Sequence, residues 1–112
     1  MAETFNRASV KLASTSITDA YTAPNVASTD RAVVLSCLIA NVDGSAAADV
    51  TIDITQNDNT SIAKIANTIT VPADASLEVI ANKLVLKQGE KLRATASAAD
   101  DLEITVSALE IT

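Results

Sequence analysis

The residues that could perform chemistry are few in this chain and stand far apart. Among 112 residues there is no histidine and one cysteine, Cys37. A nucleophile of the usual triad type needs an imidazole base, and most structural zinc sites need several His and Cys ligands. Composition therefore excludes both kinds of site. The two glycines, Gly44 and Gly89, lie far apart and each beside a turn, which disfavours a phosphate-binding loop.

The remaining candidates for chemistry are carboxylates in polar turns. Asp43 with Asp49, Asp58 between two asparagines, and the pair Asp100–Asp101 offer the hard oxygen ligands that Ca²⁺ prefers. None of them has the spacing of an EF-hand loop, and Asp and Asn are also ordinary turn residues. We therefore predict plain turns, with no metal, no cofactor and no catalytic residues.

Charge and apolar runs limit the partners and the location of the protein. The net charge of −6 disfavours nucleic acid and anionic membranes. Residues 1–7 lack the basic and apolar regions of a secretory signal. No apolar run approaches the ~20 residues that span a bilayer. We expect a protein that is made in the cytoplasm and not exported by the usual route. The apolar run 32–40 around Cys37 predicts a buried thiol.

The elements that must position these residues are β-strands. The segments 92–98 and 102–108 alternate apolar and polar residues at almost every step, and 49–56 does the same. Period two is the pattern of a strand with one buried face, and turn residues recur about every 8–12 positions. We predict an all-β fold: one antiparallel β-sandwich of about eight strands, jelly-roll or immunoglobulin-like, over residues 7–112. Residues 1–6 are expected to form an N-terminal arm.

Some apolar residues occupy positions that would be exposed to solvent in a simple sandwich. The strand Val33–Val42 is apolar on both sides, which predicts cover by another layer or another subunit. Leu109 and Ile111 lie on the face opposite to the inward residues of the last strand. Either a bulge shifts the phase there, or the chain end presents them to a neighbour. The small side chains of the Thr and Ser rows allow close approach. The interface candidates are Phe5, Val34, Leu38, Thr105, Ser107, Leu109 and Ile111.

The core must be aliphatic and thin, because aromatic residues make up only 2% of the chain. Small side chains each contribute less than the ~1.5–3 kcal/mol of a larger buried one. Association with other copies adds stability to such a fold. A homo-oligomer is therefore expected.

Three pairs of sequence segments occur in a fixed order within residues 17–111. They are Tyr21–Pro24 with Arg31–Leu35, Ile39–Asn41 with Val50–Ile54, and Leu84–Ala94 with Ile104–Glu110. Their order and spacing resemble those of the small β-sandwich virion structural proteins of tailed bacteriophages. Those proteins share a Tyr-Thr-small-Pro stretch before an apolar strand, and a glycine with an acidic neighbour before the last strands. The loop after Pro24 departs from them, because it lacks their usual glycine.

The resemblance implies a non-enzymatic virion component, assembled in the host cytoplasm, with no catalytic residues to carry over. The leading hypothesis is a capsid decoration or cement subunit that binds copies of itself and the major virion proteins. A tail, neck or fibre-base component of the same particle is the alternative. A carbohydrate- or Ca²⁺-dependent adhesion module is the hypothesis from another class. The lack of tryptophan and the single tyrosine weigh against sugar stacking.

Overall fold

The computed structural model describes residues 2–80 and 82–112, which form nine strands and no helix, and hence none that could span a membrane. The turn residues of the sequence lie between these strands. The strands are β1 (Glu3–Lys11), β2 (Thr18–Thr22), β3 (Arg31–Asn41), β4 (Ala48–Thr55), β5 (Ser61–Val71), β6 (Ser76–Glu78), β7 (Leu84–Lys87), β8 (Lys91–Ala96) and β9 (Leu102–Ile111).

The strands pair into two antiparallel sheets. The five-stranded sheet has the order β1-β9-β3-β6, with β7 also paired to β3, and the four-stranded sheet has the order β2-β8-β4-β5. Because β6 and β7 pair with two ends of the same edge of β3, they share one position in the sheet. The order is then that of a jelly roll, in which the chain repeatedly crosses between two facing sheets. The predicted all-β antiparallel sandwich is confirmed.

The core lies between the two sheets and follows the predicted alternation. Leu102, Ile104 and Val106 of β9 are buried, as are Leu92 and alternate residues of β8. Cys37 is completely buried, as its apolar surroundings in the sequence predict. Burial, together with the nearby Glu78 carboxylate, raises the pKa of the Cys37 thiol to about 12.

The N-terminal boundary of the sandwich differs from the expected one. Residues 3–6 are not an arm, because they belong to β1 and pair with β9 in an unbroken register from Glu3↔Ile111 to Lys11↔Glu103. The sandwich therefore begins at residue 3. Met1, the first residue of the expected arm, lies outside the described residues.

A β-bulge in β3 decides which of its side chains face the core. Val34 lies opposite Ala108 and Ser36 lies opposite Ser107, so Leu35 is an extra residue on β3. Such an insertion shifts the alternation by one position. Val34 is completely buried on the core side of the bulge. The expectation that Val34 belongs to an interface is therefore wrong, because its side chain is packed between the sheets.

Glu78 supplies the hydrogen-bond acceptor that β3 lacks next to the bulge. Its Oε2 atom accepts the backbone N–H of Cys37 at 2.8 Å and that of Ile80 at 2.9 Å. The Val79 N–H donates to the Cys37 carbonyl at 3.1 Å. A side-chain carboxylate thus holds the edge of β3 between β6 and β7.

Replacing this carboxylate is expected to destabilise the fold. Glu78→Ala leaves two backbone donors without their acceptor, which costs about 1–3 kcal/mol. Chemical denaturation followed by circular dichroism measures the loss. Glu103→Ala removes an exposed carboxylate of the same sheet and should change the free energy of unfolding by less than about 0.5 kcal/mol. Equal midpoints for the two variants would contradict the role of Glu78.

Gly89 joins three loops at one end of the sandwich. Its N–H donates to the Pro24 carbonyl at 3.0 Å, and its carbonyl accepts Nδ2 of Asn57 at 3.1 Å. Its φ is 68°, in the left-handed region that favours glycine. A Cβ atom at this position would lie 2.8 Å from the side chain of Asn25. Only glycine therefore fits without strain.

Gly89→Ala should lower the free energy of unfolding by about 1–3 kcal/mol, because it adds both backbone strain and a steric clash. The matched control is Gly44→Ala. A Cβ atom at position 44 would meet its nearest neighbour, Asp74, at 3.6 Å, so this variant should unfold at nearly the wild-type denaturant concentration. If both alanine variants are equally stable, the conclusion that only glycine fits at position 89 is wrong.

Candidate interaction surface

Four apolar side chains form a row across the outer face of the five-stranded sheet. Phe5 lies opposite Leu109, Leu109 opposite Val33, and Val33 opposite Val85. Opposed residues point to the same side of a sheet, so these four side chains are continuous from one edge to the other. Phe5 is 77% exposed and Val85 is 58% exposed. We call Phe5, Leu109, Val33 and Val85 the apolar row.

Small and apolar side chains border the apolar row on one side, together with Arg7, whereas Glu3, Ile111, Arg31 and Lys87 border it on the other side of the same outer face. Leu35 and Leu38 are exposed beside it, and a shallow depression of about 450 Å³ lies between Phe5 and Leu35. Ser9 Oγ and Thr105 Oγ1 are 3.3 Å apart and share a hydrogen bond. Six of the seven residues predicted for an interface lie on this one face, namely Phe5, Leu38, Thr105, Ser107, Leu109 and Ile111. Val34 lies in the core.

The end of β9 is fixed by a hydrogen bond between the sheets. β9 pairs with β1 without a register shift as far as Ile111, so a bulge does not move Leu109 or Ile111 inward. Glu110 points to the other sheet instead, and its Oε2 accepts the Tyr21 hydroxyl at 2.5 Å and Asn6 Nδ2 at 3.1 Å. The contact with Tyr21 therefore keeps the neighbours of Glu110 on the outer face.

The outer face of the four-stranded sheet has a different chemistry. Asp19, Arg93, Asp53 and Lys64 lie opposite one another across its four strands and alternate in charge. Arg93 Nε is 2.6 Å from Asp19 Oδ1, and Lys64 Nζ is 3.0 Å from Asp53 Oδ1. Burial alone would raise the pKa of Asp19, but hydrogen bonds from Arg93 and Lys91 outweigh it and lower that pKa. This face is compatible with water, whereas the apolar row is not.

Two of the carboxylates considered as calcium ligands accept hydrogen bonds in turns, whereas Asp49 lies in β4 and its Oδ1 accepts the Thr70 hydroxyl at 2.7 Å. Asp43 Oδ1 accepts the Ser45 N–H at 2.8 Å, and Asp58 Oδ1 accepts the Thr60 N–H at 3.0 Å. Hydrogen bonds from Ser45 hold the pKa of Asp43 below its ordinary value. Within residues 2–80 and 82–112, no group of three or more His, Cys, Asp or Glu side chains is arranged to hold a metal ion.

Comparison with known proteins relates this chain to others by fold. No family model and no curated protein matches the sequence. A chain of the viral particle of infectious bursal disease virus (IBDV) superimposes with a TM-score of 0.59 at 11% identity over 97% of this chain. A Bacillus endospore appendage, one of a family of disulfide-linked pili, gives 0.57 at 15% identity over 98% of this chain. The capsid of Helicobacter pylori bacteriophage KHP30 gives 0.55 at 12% identity over 100% of this chain.

The three proteins differ in the share of their own length that this chain covers. This chain covers 31% of the IBDV chain, 88% of the Bacillus chain and 89% of the phage chain. At such low identities the likeness shows a shared β-sandwich fold alone.

The contact that orients the end of β9 can be tested with the single tyrosine. Burial, together with the hydrogen bond to Glu110 and its charge, raises the pKa of Tyr21 well above its ordinary value. The resulting stabilisation is fully present below about pH 10 and is lost as the pH rises further. We expect phenolate absorbance to appear only well above the ordinary tyrosine pKa of about 10, together with the loss of the β-sheet circular dichroism signal.

Two controls define this titration. The protein in guanidinium chloride should titrate near the ordinary tyrosine value of about 10. Glu110→Gln should lower the native midpoint, since it removes a negative charge beside the phenol, but burial should keep that midpoint raised. A native wild-type midpoint near 10 would show that the Tyr21 hydroxyl is not held by Glu110.

Proposed function

We propose that this chain is a non-enzymatic structural protein of a tailed-phage particle, a capsid decoration or cement subunit. It binds the shell through the outer face of the five-stranded sheet. The observation that carries the proposal is the apolar row, because it leaves Phe5 and Val85 mostly in water on a fold whose opposite face carries a row of ion pairs.

Burial of the apolar row would stabilise a particle contact. Complete burial of a large apolar side chain contributes about 1.5–3 kcal/mol relative to exposure. The neighbouring Ser107 and Thr105 are small, so another backbone can approach closely. Many copies bound to a closed shell then oppose its opening by mass action.

Fold likeness supports a role in a particle in preference to a role in a pilus. The IBDV and phage KHP30 structures are viral particles. The similar Bacillus appendages are disulfide-linked, whereas the one thiol of this chain, Cys37, is completely buried. A disulfide between copies would require opening of the core. A tail, neck or fibre-base position would use the same apolar row and differs only in the surface that it meets.

The location of the protein tests the proposal directly. Particles purified from cells that express this chain are analysed by mass spectrometry and imaged by electron cryomicroscopy, beside particles made without its gene. A density difference on the capsid surface, of the size of this sandwich, is expected. A difference confined to the tail or neck would favour the alternative. If the particles purified from expressing cells do not contain the chain, both positions are ruled out.

Binding to particles made without the subunit tests the outer face. Val85→Asp places a charge in the apolar row and should weaken binding at least roughly tenfold, because binding would bury an unpaired carboxylate. The matched control is Val26→Asp, at a loop residue that is 94% exposed and away from the row. Cosedimentation of each variant with the particles measures the bound fraction. Equal binding of both variants would show that the shell contact lies elsewhere.

A further inference from the structure

The two sheets have edge strands, and in the described residues all of these but β1 are protected against the addition of another strand. β2 has five residues and a register shift between Asp19 and Tyr21. β5 has three register shifts against β4 and a positive φ of 52° at Thr68. β6 and β7 have three and four residues. Short strands and bulges are the usual protection of a sheet edge.

β1 is an edge strand without these features. It has nine residues, none of them proline or glycine, and its register with β9 is uninterrupted. A long regular edge presents a row of backbone donors and acceptors that another strand can pair with. The edge of β1 is therefore the one best suited to strand addition.

The hydrogen bonds at both ends of β1 show which backbone groups point outward. Ala2 exchanges hydrogen bonds with Thr112 at 2.7 and 2.9 Å, and the Leu12 N–H donates to the Leu102 carbonyl at 2.9 Å. Hydrogen-bonded pairs alternate along an antiparallel ladder. Even-numbered residues therefore pair with β9, and odd-numbered residues from Glu3 to Lys11 direct their N–H and C=O groups to the free edge. Among these outward groups, the Arg7 N–H is bound by Asn6 Oδ1 at 2.8 Å, so an added strand must displace this side-chain contact.

We propose that β1 of a second copy adds antiparallel to this edge, so that the two five-stranded sheets become continuous. With full overlap, Glu3 lies opposite Lys11 of the second copy at both ends of the pair. Opposite charges across a ladder stabilise it, and like charges destabilise it. Parallel pairing in register would oppose like charges at every charged position. The charge pattern of β1 therefore favours a second copy in the antiparallel direction.

One charge of β1 has no opposite partner in this register. β1 carries one acidic and two basic side chains, of which Glu3 and Lys11 face each other. Arg7 lies opposite its own copy at the two-fold axis and forms the like-charge contact of this register. The diagonal neighbours of each Arg7 are Phe5 and Ser9 of the other copy, and the ring face of Phe5 can accept a cation.

The pairing would also join the outer faces of the two copies. Residues opposed across a ladder share one side of the sheet, so the two apolar rows would lie side by side and point the same way. This consequence adds to the proposed function, but the pairing rests on the edge of β1 and does not depend on binding to a particle.

Ser9 allows the edge to be blocked without breaking the sheet. Its N–H points outward, so Ser9→Pro removes a donor of the free edge and no hydrogen bond to β9; proline is tolerated at such positions. Ser9→Ala is the matched control, because it loses the same contact with Thr105 and keeps the N–H. Sedimentation equilibrium should show wild type and Ser9→Ala as dimers, with a dissociation constant at least roughly tenfold higher for Ser9→Pro.

Exchange of charges tests the direction and register independently of the proline. Glu3→Lys and Lys11→Glu should each weaken the dimer, and the double variant should recover most of the wild-type affinity. A double variant weaker than both single variants would overturn the antiparallel register. A wild-type chain that stays monomeric at about 200 μM, or a Ser9→Pro chain that dimerises as tightly as wild type, would overturn the pairing. Particle location is measured separately, so a monomer found on particles rejects the pairing and keeps the proposed function, and a dimer absent from particles does the reverse.

Discussion

The register between β3 and β9 is the constraint on which the rest of the structure depends. The extra residue Leu35 allows both ends of β3 to keep their apolar side chains in the core, with Val34 before the bulge and Cys37 after it. Without the insertion, Ser36 and Leu38 would point between the sheets, and Cys37 would point to solvent. On its other edge, β3 directs the Cys37 N–H and carbonyl away from β9, and the Glu78 carboxylate accepts that N–H where β6 ends. The bulge therefore determines which side chains of β3 lie in the core and which lie on the outer face.

The two outer faces of the sandwich differ in the side chains that they expose, although both are built from alternating strands. On the four-stranded sheet, opposite charges lie next to one another across every strand, and they satisfy one another in water. On the five-stranded sheet, the corresponding positions hold the apolar row, and the contact of Glu110 with Tyr21 keeps the end of β9 in phase with it. The apolar row therefore gives the two outer faces of the sandwich different chemistry.

The sequence predicts this fold well where one face of a strand is polar, and poorly where it is not. The alternation in β8 and β9 indicates the buried residues correctly, because only one phase puts the branched aliphatic side chains of Ile104 and Val106 inside. In β3 apolar residues occupy both faces, so either phase is acceptable and the bulge at Leu35 leaves no signal; the prediction for Val34 is wrong for this reason. Residues 3–6 carry no buried side chain, and their strand conformation comes from pairing with β9. Val85 escapes sequence reasoning because its two neighbours are leucines and hide the alternation.

The position of Cys37 has a consequence for how the molecule opens. The chain contains a single sulfhydryl, which lies at the bulge with no exposed surface, and only its ionised form reacts with alkylating reagents. Covalent modification must therefore wait for β3 to separate from its neighbours. The rate of that modification therefore reports how often the centre of the sandwich opens locally. It can be measured on the natural sequence without a spectroscopic label.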